Sequence, residues 1–187
     1  MEKSFKASEI LGIKDPGEIL RRVREWSSDL SEEEYVIKSV VQEIQQNCEI
    51  KLDKVIYKLL VYCTPKGETK EELDQVEEDL WKQVGKIGFV DKYRLLKPIL
   101  KNWQNVRPEM EDLMKINDVR RECTHLKDKN RIDYKGHKIF SDPEGIAQLF
   151  VDAWGTGKAL NDLGAWIEDQ QIYRDKALEF ARENKGI

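Results

Sequence analysis

The chain has 187 residues, of which 40% are apolar and 36% are charged, and its formal net charge is −4. This length suggests one domain with a small addition, and the apolar fraction is too high for an intrinsically disordered chain. No apolar run approaches the roughly 18 residues of a membrane span, and the first residues form no signal-peptide pattern. We therefore expect a soluble, cytoplasmic protein with no membrane partner.

Cysteine and histidine are both scarce in this chain. The three cysteines are an odd number without close spacing, which argues against a disulfide framework or a four-cysteine zinc site. The two histidines, His125 and His137, lie in one short basic stretch.

Capping residues and apolar spacing predict helices from the start of the chain. Asp15 caps a helix that begins at Pro16 and ends near Trp26. The polar residues Ser27, Ser28 and Asp29 then break it. Residues 1–30 are therefore predicted to form an N-terminal helical appendage, and residues 31–187 the main helical bundle.

A longer helix is predicted next, because apolar residues recur in steps of three and four from Ile37 to Tyr62. A capping box over 31–34 begins this helix of about 30 residues. A second box over 69–72 begins another helix. The stretch from Phe89 to Trp103 is also helical in pattern, with Pro98 bending or dividing it.

The sequence pattern changes from helical to β-prone in the last third of the chain. A helix that starts at Pro108 ends near His125. Two short β-prone runs around Lys135 and Gly136 then predict a small hairpin near 131–140.

Two more helices are predicted to complete the chain. The run Ser141–Glu144 caps a long helix that continues through Leu160, and a separate helix covers about Ile172 to Asn184. The pattern as a whole predicts an all-α, elongated, antiparallel bundle of about five to seven helices, with one short hairpin-like loop.

Positive charge is concentrated in residues 120–138, which hold seven basic and three acidic side chains. The basic residues are Arg120, Arg121, Lys127, Lys129, Arg131, Lys135 and Lys138. A local positive field attracts a phosphate backbone even on an acidic protein. A solvated loop with ordinary surface lysines has the same composition.

An arginine and a histidine stand at the end of the helix in this segment. Arg121 and His125 are four residues apart and share a helix face, whereas Arg120 and His125 are five apart and separated by about 140° around the axis. A guanidinium can hold phosphate oxygens, and an imidazole can move a proton near neutral pH. A histidine that only caps the helix end has the same pattern.

The run from Val119 to His125, VRRECTH, resembles the Arg-x4–6-His motif of HEPN (higher eukaryote and prokaryote nucleotide-binding) domains. The segment from Ile132 to Ser141 and the helix after it also resemble the loop and helix that follow this motif in many bacterial members. The resemblance covers about residues 31–165, and the order of the predicted helices is similar to the family's bundle.

This resemblance implies a metal-independent endoribonuclease or RNA-binding protein of a toxin–antitoxin or phage-defence system. In the family, two Arg–His motifs meet across a homodimer interface. The resemblance assigns the scissile phosphate to Arg120 and general acid or base catalysis to His125. Arg121, Lys127 and Lys129 are candidate substrate-binding residues because they belong to the basic segment around this motif. The resemblance implies no cofactor, and its expected partners are a second copy, RNA, and an antitoxin or defence-system protein.

One position departs from the family pattern. Members usually have Asn after the arginine, and less often Asp or His, whereas this chain has Arg121. Arg121 either adds phosphate affinity or marks a non-catalytic HEPN-like module that dimerises or binds a partner protein or a nucleotide.

Two other motifs point to different chemistry. Cys123, His125 and His137 are candidate metal ligands, but a fourth ligand is missing. The run GTGK over 155–158 resembles part of a phosphate-binding loop, but Asp152 and Ala159 stand where that loop requires Gly and Ser or Thr. A metal-dependent enzyme therefore stays a third alternative, and a phosphate loop is not expected.

Overall fold

The computed structural model of the chain describes residues 7–28, 34–63, 70–102, 109–125 and 128–183. Within these ranges, seven α-helices account for 87% of the residues, and one two-stranded hairpin is the only sheet. The prediction of an all-α helical bundle with a short hairpin is confirmed.

The helices follow one another with few other elements between them. In chain order they are α1 (Ala7–Leu11), α2 (Pro16–Ser28), α3 (Glu34–Cys63), α4 (Lys70–Lys86), α5 (Phe89–Asn102), α6 (Glu109–His125) and α7 (Pro143–Glu183). A 3₁₀ turn (Lys129–Arg131) and the hairpin strands β1 (Asp133–Tyr134) and β2 (His137–Lys138) lie between α6 and α7.

Local signals in the sequence account for most of these bounds. A carboxylate oxygen of Asp15 accepts a hydrogen bond from the backbone N–H of Gly17 at 3.0 Å, so α2 begins at the expected cap. The helix α3 has 30 residues, and α5 continues through Pro98 without dividing. The capping boxes expected over 31–34 and 69–72 lie largely outside the described residues.

The end of the chain differs from the sequence-based prediction of two separate helices. Instead, α7 is one helix of 41 residues from Pro143 to Glu183. The stretch between Leu160 and Ile172 has no proline, and its single glycine, Gly164, costs a helix only about 1 kcal/mol, so it does not end α7.

The chain divides into two compact units. Unit 1 comprises Met1–Ile50 and Asn105–Ala159, and unit 2 comprises Lys51–Gln104 and Leu160–Ile187. The helices α3 and α7 each contribute residues to both units. The boundary expected near residue 30 stays a prediction, because residues 29–33 lie outside the described ranges.

Each unit has its own apolar core. In unit 1, fully buried side chains come from α2, α3, α6, α7 and the hairpin region; they include Ile19, Ile44, Leu113, Ile116, Ile132, Ile139 and Phe150. In unit 2 they come from α3, α4, α5 and α7, and include Leu52, Ile56, Val84, Leu96, Leu160 and Leu163. Burial of each such side chain contributes roughly 1.5–3 kcal/mol, so these faces hold the helices together.

The hairpin of unit 1 has a tight two-residue turn. Asp133 is opposite Lys138, and Tyr134 is opposite His137, in antiparallel register. The turn residues Lys135 and Gly136 have φ values of 52° and 90°, and positive φ at both positions is typical of a type I′ turn. Glycine adopts this backbone freely, whereas Lys135 does so at a cost of about 1–2 kcal/mol.

The start of α7 packs closely against the hairpin backbone. A Cβ atom added at Gly145 would lie 2.9 Å from the carbonyl oxygen of Lys138 and 3.1 Å from that of His137. Because both neighbours are backbone atoms, they cannot move aside as a flexible side chain would. Only glycine therefore fits at this contact.

We expect Gly145→Ala to lower the free energy of unfolding by about 1–3 kcal/mol, since the methyl group would push the hairpin away from α7. Gly85→Ala is the matched control, because a Cβ there meets nothing within 4 Å in α4. That variant should gain about 0.5–1 kcal/mol from helix propensity. Urea denaturation followed by circular dichroism measures both changes, and a Gly145→Ala protein as stable as the parent would contradict the close contact.

Candidate nucleic-acid interface

The Arg–His pair singled out by the sequence lies in the last two turns of α6. His125 is exposed and is the last residue of the helix, whereas Arg120 is half-buried. Arg120 lies on the same side of α6 as the buried residues Ile116 and Cys123. Within the described part of the chain, neither the Arg120 nor the His125 side chain takes part in a hydrogen bond or an ion pair.

Arg121 is the arginine that shares the exposed side of α6 with His125. Its guanidinium is 3.9 Å from the carboxylate of Asp118, and both side chains are more than half exposed. An ion pair this long and this exposed contributes little, so the guanidinium stays accessible to an anion. The hydroxyl of Thr124 donates to the carbonyl oxygen of Arg120 at 2.9 Å within the same turns.

The structure describes only one of the two lysines that were predicted to bind substrate. Lys127 lies outside the described residues. Lys129 is exposed, and its ammonium is 3.8 Å from the carboxylate of Glu34 at the start of α3. The turn that carries it is closed by Asp128, which accepts from the backbone N–H of Asn130 at 3.1 Å. Lys129 therefore connects the segment after α6 with the start of α3.

Lys135 is not a free surface cation, because its partly exposed side chain pairs with two buried carboxylates. Its ammonium is 2.6 Å from a carboxylate oxygen of Asp152 in α7 and 3.2 Å from one of Asp112 in α6. Both carboxylates are buried, at 9% and 7% exposure. Lys115 donates to the other oxygen of Asp112 at 3.0 Å, and Gln148 donates to that of Asp152 at 3.1 Å.

The two aspartates keep Lys135 charged. Partial burial lowers its pKa, but the hydrogen bonds and charges of Asp152 and Asp112 together outweigh burial and raise the pKa above its usual value. The neighbouring Tyr134 hydroxyl is buried without a well-formed hydrogen bond to a described residue. Burial, followed by the charge of Asp152, raises the pKa of Tyr134, so its hydroxyl stays protonated.

Sequence reasoning missed this cluster, which we name the Lys135 latch: Lys135 with Asp112 and Asp152. It therefore overestimated the free positive charge of residues 120–138. The signal that could have revealed the latch is the position of the two aspartates, each of which falls among the apolar residues that form the buried face of its helix.

A pocket of about 190 Å³ lies between α6 and the hairpin. Its lining residues are Lys115, Asp118, Val119, Glu122, Asp133, Tyr134 and Lys135. The lining has three carboxylates and two ammonium groups, and both ammonium groups are already paired with Asp112. Such a surface does not favour a phosphate group.

The second histidine has a structural partner. Nδ1 of His137 is 2.7 Å from a carboxylate oxygen of Asp142, whose other oxygen accepts from the backbone N–H of Glu144 at 2.9 Å. The His137 bond, and next the Glu144 bond, lower the pKa of Asp142. His137 thus joins the hairpin to the cap of α7.

The alternative chemistries find little support in the structure. Among the described residues, no group of three or more His, Cys, Asp or Glu side chains is arranged to hold a metal ion. Cys123 is buried, and burial raises the pKa of its thiol to about 12. The run Gly155–Lys158 lies inside α7 and therefore forms no phosphate-binding loop.

No family model, curated protein or solved structure matches this chain. The resemblance to HEPN domains therefore stays a prediction, which rests on the Arg–His run and on the hairpin and long helix that follow it. None of the helices in the described ranges has both the length and the apolar character needed to cross a bilayer.

We expect Lys135→Met to lower the free energy of unfolding by about 1–3 kcal/mol. Removing one partner of a buried pair costs about 3–5 kcal/mol, and the loss is smaller here because a third of the lysine side chain is exposed. Lys138→Met is the matched control on the same hairpin, since Lys138 only approaches the exposed Asp133 at 3.9 Å. It should change stability by less than about 0.5 kcal/mol. Equal losses in the two variants, measured in urea, would show that the latch does not stabilise unit 1.

Proposed function

We propose that this chain is a HEPN-like, metal-independent endoribonuclease that binds single-stranded RNA and acts as a cytoplasmic homodimer in a toxin–antitoxin or phage-defence system. The observation that carries the proposal is the exposed His125 at the end of α6, one turn after the accessible Arg121. Lys129, which is also exposed, lies in the 3₁₀ turn that follows α6.

The chemistry of RNA cleavage explains why this arrangement is useful. Attack by the ribose 2′-hydroxyl on its own phosphate needs a base for the hydroxyl proton and an acid for the departing 5′-oxygen. It also needs cations beside the phosphate, where negative charge develops. An imidazole exchanges protons near neutral pH, and a guanidinium binds phosphate oxygens as a planar fork.

One His125 supplies only one of the two proton transfers. His137 is engaged by Asp142, so it does not fill the second role within the same chain. A second copy related by a two-fold axis would bring another His125 to the same phosphate. The homodimer is therefore a necessary part of the proposed mechanism.

The two arginines have different tasks in this proposal. Arg121 binds phosphate from the exposed side that it shares with His125. Arg120 is half-buried, and the resemblance assigns it to the scissile phosphate, which it reaches where the second copy closes over the end of α6. Lys129 adds positive charge beside them.

A second candidate is a non-catalytic HEPN-like module that dimerises or binds a partner protein, such as an antitoxin, or a nucleotide. Arg121 favours it, because a long exposed cation stands where family members usually have a short polar side chain. Large apolar side chains that are exposed by 44–82% also favour an interaction role; they are Tyr35, Ile50, Trp81 and Leu95. This candidate predicts a stable dimer or complex without RNA cleavage.

We expect the purified protein to cut single-stranded RNA in the presence of EDTA. His125→Ala should lower the cleavage rate at least about 100-fold, because general acid–base catalysis contributes roughly 10²–10⁴-fold. Gel analysis of a labelled RNA measures the rate. His137→Ala is the matched control, since it removes the other histidine of the same segment and should retain cleavage.

Sustained cleavage by a folded His125→Ala protein would contradict the catalytic assignment. If the parent protein does not cut RNA but light scattering at micromolar concentration finds a dimer, the non-catalytic module is the better account. A monomer that neither cuts RNA nor recovers a partner would contradict both.

A further inference from the structure

Trp81 of α4 is a large aromatic side chain that stays 44% exposed. Its ring stacks on the ring of Tyr57 in α3, with 4.5 Å between the centroids and 11° between the planes. Because the stack covers one face of the Trp81 ring, the opposite face is available to a partner. An indole ring that is held in place in this way is a candidate contact, since tryptophan is enriched among the residues that contribute most to protein interfaces.

Carboxylates accompany Trp81 along the same face of α4. Glu77 and Glu78 precede it by four and three residues, and Asp74 precedes it by seven, so all three lie on the side of the helix that carries the ring. Helical side chains lean toward the N-terminus, which brings the ring over the turn that contains Glu77 and Glu78. One turn after the ring stands Gly85, where an added Cβ would meet nothing within 4 Å. The surface beside the ring is therefore open.

The Tyr57 hydroxyl holds one of these carboxylates beside the stacked rings. Burial, followed by the charge of Glu77 and a hydrogen bond to it, raises the pKa of Tyr57 above its usual value. The hydroxyl therefore stays protonated and donates to Glu77, whose carboxylate stays negatively charged next to the aromatic pair.

Negative charge dominates this part of the chain. Residues 64–86, which comprise the segment before α4 and all of α4, hold seven acidic and four basic side chains. The ammonium of Lys82 already pairs with two carboxylates at 2.8 and 3.7 Å, those of Glu78 and Asp79. Lys54, which is exposed on α3, adds one further positive charge. Four carboxylates still outnumber these two lysines; they are Asp74, Glu77, Glu78 and Asp79. Such a surface repels a phosphate backbone and attracts a cation.

We infer that the exposed ring of Trp81 and the acidic face of α4 around it bind an arginine-bearing basic segment of a partner protein. Tryptophan is the aromatic side chain that binds cations best, and a guanidinium both stacks on its ring and fits a carboxylate as a planar fork. The ring and the carboxylates of this face supply both contacts. The surface belongs to unit 2, whereas the residues of the predicted RNA site belong to unit 1, so the inference does not depend on the proposed RNA activity.

The test measures the affinity of the full chain for short fluorescein-labelled peptides in which glycine alternates with arginine, with lysine or with citrulline. Fluorescence anisotropy at fixed salt gives each affinity. The arginine peptide should bind most tightly, and the citrulline peptide, which keeps the shape of arginine without its charge, should not bind. A cation–π contact contributes about 0.5–2 kcal/mol, so Trp81→Ala should weaken binding of the arginine peptide about 2- to 30-fold.

Further variants cover the case in which Trp81→Ala loosens α4. Trp81→Phe keeps a ring that can stack on Tyr57, and it should lose less affinity than Trp81→Ala. Glu78→Gln removes one exposed charge from the same face and should also weaken binding. Leu95→Ala is the matched control, because it removes another exposed apolar side chain of unit 2, and it should bind the arginine peptide like the parent.

Two results would overturn the inference directly. One is equal affinity of the parent, Trp81→Ala and Glu78→Gln for the arginine peptide, and the other is a parent protein that does not bind this peptide. A third result would assign the surface to a different occupant. If the peptide does not bind and Trp81→Ala converts a dimer into a monomer in light scattering, this face joins two copies of the chain and the inference is wrong.

Discussion

The ammonium group of Lys135 connects three parts of unit 1 that are distant in sequence. It belongs to the hairpin turn, and its carboxylate partners come from α6 and α7. The left-handed backbone of Lys135 costs about 1–2 kcal/mol, and the same residue makes the ion pairs that offset this cost. Two further contacts hold the hairpin against the start of α7, and we call this region the hairpin–α7 junction. Gly145 packs against the backbone of Lys138, and His137 bonds to Asp142. The position of the basic segment after α6 depends on this junction, so the candidate site depends on it too.

Most of the helices could be predicted from the sequence, because their signals are local. The Asp15 cap, the apolar spacing of α3 and the end of α6 at His125 each involve residues within a few turns of one another. The hairpin could also be predicted from the sequence, because Lys135–Gly136 between two β-prone runs favours a tight turn. The prediction of a separate C-terminal helix is wrong, because α7 continues through Gly164 and the polar residues around it without a break.

The candidate site could be predicted only in part from the sequence. Contacts between distant segments decide which charged side chains form ion pairs and which side chains stay exposed. Lys135 looked like any other basic residue of its segment, yet one of its partners, Asp112, lies 23 residues away. The motif directed attention to Arg120, whereas the exposed face places Arg121 beside His125.

We propose that the ends of two α6 helices form one RNA site across a two-fold axis. A crystal structure of the chain with a 2′-O-methyl single-stranded RNA, which keeps the 2′-oxygen but has no hydroxyl to attack, tests this arrangement. We expect a homodimer in which one His125 imidazole lies within about 3.5 Å of the 2′-oxygen and the partner's His125 imidazole lies equally close to the 5′-oxygen of the same phosphate, close to hydrogen-bond distance. A monomeric complex, or a phosphate bound in the pocket between α6 and the hairpin, would contradict it.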